Sequence, residues 1–75
     1  MDLVDFLINI HPELPMDERN RLASEIHEVD GVVSACFSPG HPHLLEVTYN
    51  PDVVNSSAVL ALVGNHGIAA DKIGL

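Results

Sequence analysis

The chain is predicted to fold as an α+β sandwich, a four-stranded antiparallel sheet carrying two helices on one face. Three observations lead there. Stretches with strand or helix periodicity follow one another as strand, helix, strand, strand, helix, strand along 75 residues. The two middle strands are joined by a short turn rich in proline and glycine, which forces them antiparallel. Right-handed crossovers through the helices then arrange the other strands in the same sheet.

The first strand is expected over Leu3 to Ile10, where Val4, Phe6, Ile8 and Ile10 alternate with Leu3, Asp5, Leu7 and Asn9. Pro12 and Pro15 exclude both a longer strand and an earlier helix start. Pro15 suits the first helical position, where a missing N–H costs nothing, and Asp17 and Glu18 favour the positive end of the dipole. The helix is expected to reach about Val29 and to bury Leu22, Ile26 and Val29, with Asp30-Gly31 ending it. His27 falls on its surface, in the last turn. A second strand alternates Val33, Ala35 and Phe37 with Val32, Ser34, Cys36 and Ser38. Pro39-Gly-His-Pro-His43 reads as the turn. The third strand, Leu44 to Asn50, turns Leu45, Val47 and Tyr49 inward. Asn55 is a good N-cap for a helix bearing Val59, Leu60, Leu62 and Val63, and Gly64-Asn-His-Gly67 accepts a left-handed stop. Ile68 to Ile73 closes the sheet. The expected core is Phe6, Ile8, Leu22, Ile26, Phe37, Val47, Tyr49 and Leu60. This element order is the ferredoxin-like βαββαβ plan.

Size and composition bound the rest. Residues 1–75 are expected to form one domain, and with one cysteine its stability must come from packing rather than disulfides. No apolar run approaches the roughly 20 residues that span a bilayer, and acids stand at the start where a signal peptide carries Lys or Arg. A cytoplasmic location is the expectation. Eleven acids face Arg19, Arg21 and Lys72, a net charge of −8. That balance repels nucleic-acid phosphates and anionic membranes and favours cations or a basic protein partner. It also serves solubility by itself.

Gly31-Val-Val after the first helix, Val47-Thr-Tyr-Asn-Pro51 at the end of the third strand and Gly67 before the last strand stand in one order and spacing. In these features the chain resembles the heavy-metal-associated domain of copper chaperones and metal-pumping ATPases, over nearly its whole length. The resemblance implies the same sandwich, and a metal held by two thiolates of a C-x-x-C loop between the first strand and first helix. Counting back from Gly31, those cysteines correspond to Pro15 and Glu18, and no cysteine lies between Ile10 and Arg21. Cu(I) is a soft ion that thiolates hold, and proline has no donor atom. The C-x-x-C mechanism for Cu(I) is therefore not available. Cys36, the one thiol, falls on the outward face of the second strand.

The same topology gathers three connections at one end of the sheet, and with them His11, His41, His43 and His66. Neutral imidazoles beside carboxylates suit Zn(II), Ni(II) or Cu(II), so these four are the candidate metal ligands. The plainer alternative is that they are polar residues collected in solvated loops. No catalytic constellation or phosphate-binding loop occurs, and an enzyme is not expected. The competing function is a protein-interaction module that uses its acidic surface or the open sheet face, where Leu7, Cys36 and Leu44 interleave with Asp5, Asn9, Ser34, Glu46 and Thr48. A monomer or weak homodimer is expected.

Overall fold

β1 (Val4–His11), α1 (Met16–His27), β2 (Val32–Ser38), β3 (His41–Tyr49), α2 (Ser56–Asn65) and β4 (Ala69–Ile73) follow one another in the expected order. The computed structural model describes residues 2–11 and 13–73; Pro12, expected to break the first strand, lies outside them. The sheet order is β2-β3-β1-β4 and every neighbouring pair is antiparallel. The fold is thus ferredoxin-like, with β1 and β3 central and β2 and β4 at the edges.

One core lies between the sheet and the helices. Phe6, Ile8 and Ile10 from β1 and Leu45, Val47 and Tyr49 from β3 alternate toward it. Leu22 and Ile26 of α1 and Val59 and Val63 of α2 meet them, each pair four residues apart on one helix face. Phe6 and Tyr49 meet edge to face, ring centroids 5.5 Å apart at 86°, the arrangement favoured by the ring quadrupoles. No side chain that is polar or charged is buried among the described residues, Tyr49 apart. Burial of apolar surface, not buried ion pairing, therefore holds the layers together.

Several expectations need correction. Pro15 caps α1 rather than starting it, with ψ at 157°, and the helix closes at His27, so Val29 lies beyond it and is half-buried. Gly31, three residues past the cap at Glu28, has φ 96 and starts the connection to β2. The hairpin turn is only Pro39-Gly40, with Gly40 at φ 78, and β3 begins at His41 rather than Leu44. Pro42 is accommodated in the strand because the β2–β3 register shifts there, from Phe37↔Leu45 to Ser38↔His41. A second irregularity, between Val32 and Ser34, leaves Val33 unpaired and 50% exposed. Val32, not Val33, then packs on the core. Phe37 and Leu60 are half-buried at the core's margin, because α2 turns Val59 and Val63 inward.

Local hydrogen bonds explain the two connections into α2. Asn50 Oδ1 accepts from the Asp52 amide at 2.9 Å, an Asx turn that starts the loop after β3. Asn55 Oδ1 accepts from the Ala58 amide at 2.8 Å and so satisfies one of the helix's orphan N–H groups. Asn55→Ala is expected to lower stability by about 1 kcal/mol. The check is a urea unfolding curve with a lower midpoint and an unchanged slope.

Candidate functional site

The end of the sheet where β1 finishes and β4 starts is fixed by pairing. His11 lies opposite Ala69, so the α2–β4 turn with His66 sits beside the end of β1. Asn9 lies opposite Leu44, which carries His43 and His41 toward the same end. Strand order therefore sets the four histidine-bearing segments near one end of the sheet, but not on one face. His11, the last residue of β1, shares the open face with Asn9; His41 and His43 belong to β3 rather than to a loop; and His66 meets α1 on the helix side.

The side chains then pair off. Asn9 Nδ2 donates to His11 Nε2 at 2.6 Å, which occupies the lone pair a metal would need. Asn9 Oδ1 beside it is buried without a hydrogen-bond partner. The His41 and His43 rings face each other edge to face, centroids 6.2 Å apart. His66 Nε2 lies 2.5 Å from Glu25 Oε2 across the gap between the α2–β4 turn and α1. That oxygen is shut off from solvent and has no other hydrogen-bond partner. Both side chains remain more than a third exposed, where such pairs contribute at most about 1 kcal/mol. Among the described residues, no three His, Cys, Asp or Glu side chains stand together as a ready metal cage.

The thiolate site does not fit this chain. Pro15 is the cap of α1 and Glu18 lies in its first turn. Cys36 is free and exposed on β2, opposite Glu46. The open face is as expected: Glu46 stands between Cys36 and Leu7, and Thr48 Oγ1 donates to Asp5 Oδ1 at 2.5 Å.

Two partners escaped the sequence reading. Glu25 carries no mark of its role, since it meets His66 only through the packing of distant segments. His27, placed on the helix surface, donates through Nε2 to the Val33 carbonyl at 3.1 Å and so ties α1 to the sheet edge.

Solved structures superpose closely on this frame. The fold is that of the heavy-metal-associated domain. A copper-binding domain from HMA7, a P-type ATPase, matches with a TM-score of 0.82 and 14% identity over 93% of each chain. Oxidized MerP from Ralstonia metallidurans CH34 matches with a TM-score of 0.84 and 10% identity, over 97% of this chain and all of that one. The yeast copper transporter domain CCC2A, solved in apo and Cu(I)-loaded states, matches with a TM-score of 0.80 and 14% identity over 93% of this chain and 94% of that chain. No protein-family model and no curated protein matches the sequence. This heavy-metal-associated fold thus occurs here without its C-x-x-C loop, and no described helix is long and apolar enough to cross a membrane.

Proposed function

We propose that this is a heavy-metal-associated-like domain that has no thiolate site and takes a borderline divalent ion, Zn(II), Ni(II) or Cu(II), weakly at its histidine pole. What supports the reading is the chain order: His11 at the end of β1, His41 and His43 at the start of β3 and His66 in the turn before β4 all belong to segments that meet near one end of the sheet. Imidazole nitrogens with a carboxylate such as Glu25 suit these ions. Binding is weak because the donors are already engaged: the metal must displace Asn9 from His11 and Glu25 from His66. Two of the named neighbours are a copper-binding domain and a copper-transporter domain, which supports a metal-associated role over an enzyme.

An NMR titration with Zn(II), Ni(II), Cu(II) and Cu(I) tests the reading. Zn(II) or Ni(II) is expected to shift His11, His41, His43 and His66 together while leaving His27 quiet. His41→Ala should also weaken the response at His11 or His66. A metal must displace the proton from each ligating nitrogen, so the response weakens as the solution is made more acidic. Any Cu(I) response should be lost in Cys36→Ser. Independent responses at each histidine, or an equal response at His27, would reject a shared site.

A second reading is favoured by the chain's acidity, a net charge of −8. It is a protein-interaction module in the cytoplasm, monomeric or weakly dimeric, whose acidic surface or open sheet face binds a basic protein rather than nucleic acid or membrane.

A further inference from the structure

β2 has one strand partner, β3, so the backbone groups along its outer side have no strand beside them. Its seven residues, Val32-Val-Ser-Ala-Cys-Phe-Ser38, include no charge and no proline. Those are the usual means of blocking a sheet edge against pairing. The protection present is local: a bulge at Val33, whose carbonyl His27 occupies. From Ala35 to Ser38 the strand borders a groove of about 690 Å³ against α1.

The helical wall of that groove is a stripe of Met16, Arg19, Asn20, Ala23, Ser24 and His27, spaced three and four apart. Met16 is 67% exposed and offers an adaptable apolar contact. Arg19 is the groove's one lining residue among Asp, Glu, Lys and Arg, in a chain whose net charge is −8. Its guanidinium is held in place, 6.0 Å over the Phe37 ring and donating through Nη1 to the Leu14 carbonyl at 3.0 Å. A guanidinium carries five N–H donors, and its best-matched partner is a carboxylate.

We infer that the β2 edge and this groove bind an extended peptide segment of a partner protein, which adds as a fifth strand and sets one carboxylate against Arg19. Main-chain pairing along β2 supplies the affinity, and Arg19 with the Met16 side of the groove supplies the selectivity. The site uses none of the four pole histidines. A second copy of the chain is the poorer occupant, since its own β2 brings no acid to Arg19 and two chains of charge −8 repel.

The test is NMR titration of the labelled chain with three capped seven-residue peptides that alternate Val and Thr and carry Glu, Gln or Lys at the centre. The Glu peptide is expected to shift the amides of residues 35–38 and 19–24 and to slow hydrogen exchange along the outer side of β2. It should bind about tenfold more tightly than the Lys peptide. In Arg19→Gln, the Glu and Gln peptides should bind equally while the rest of the spectrum is unchanged. Absence of any shift at millimolar peptide, shifts confined to the open sheet face, or a Glu preference that survives Arg19→Gln would overturn the inference. So would a dimer in sedimentation accompanied by concentration-dependent shifts in β2, which assigns the edge to a second copy.

Discussion

Gly31→Ala is expected to destabilise the fold by about 2–5 kcal/mol, by two mechanisms that add. With φ at 96, any residue bearing a Cβ is strained at this position, at about 1–2 kcal/mol. The new methyl would also lie 2.8 Å from Val53 Cβ and 2.9 Å from Val54 Cγ1, so the loop after β3 must move, which adds about 1–3 kcal/mol. That movement pulls on the bond from the Asn50 amide to the Gly31 carbonyl, 2.7 Å long, which holds the two loops together. A 75-residue chain has about 4–11 kcal/mol in all, so much of its stability is at stake. Gly67→Ala is the control: φ is 74 there, but nothing lies within 4 Å of the added methyl. It should show the backbone cost alone, about 1–2 kcal/mol. Urea unfolding of both variants checks the pair, and equal losses would show that crowding at Val53 contributes nothing.

Ile26→Ala is the second large effect, about 2–5 kcal/mol. Ile26 is 0% exposed where α1 meets the sheet, so truncation leaves a cavity that the surrounding layers cannot fill without shifting. Leu60→Ala removes a similar volume from a half-buried position on α2 and should lose less than about 2 kcal/mol. If calorimetry or urea unfolding gave the reverse order, α2 would have to present Leu60 rather than Val59 and Val63 to the core.

The contrast between those two positions shows how far periodicity reaches. Strand alternation located Phe6, Ile8, Val47 and Tyr49, and the four-residue step located Leu22 and Ile26, because each of those segments has one apolar face. In α2 the run Val59-Leu-Ala-Leu-Val63 is apolar on nearly every side, so the pattern cannot select its buried face. Only the position of the sheet does. Bulges escape for a related reason. Val32 and Val33 are both β-branched and apolar, and which one faces inward depends on the partner strand, not on the pair itself.

The candidate site divides along the same line. Chain order and strand direction are enough to place the segments that carry the four histidines near one end of the sheet, but not to say which face each ring takes. The contacts of Asn9 with His11 and of Glu25 with His66 depend on how side chains distant in sequence meet, and nothing local announces them. The lack of a cysteine between Ile10 and Arg21 is legible directly, because an absent residue type needs no geometry.

β4 is the weakest-held strand, and its place in the sheet gives that weakness a consequence for assembly. It pairs only with β1, over five residues of which only Ala70 is even half-buried. Local opening begins where few apolar contacts must be broken, so β4 is the element to detach first. Its departure would leave β1, which holds Phe6, Ile8 and Ile10, as a newly bared edge beside the core. Such an edge accepts the equivalent strand of another molecule as readily as its own. Strand exchange at β4 is thus the route by which this fold would pass from one chain to an intertwined pair.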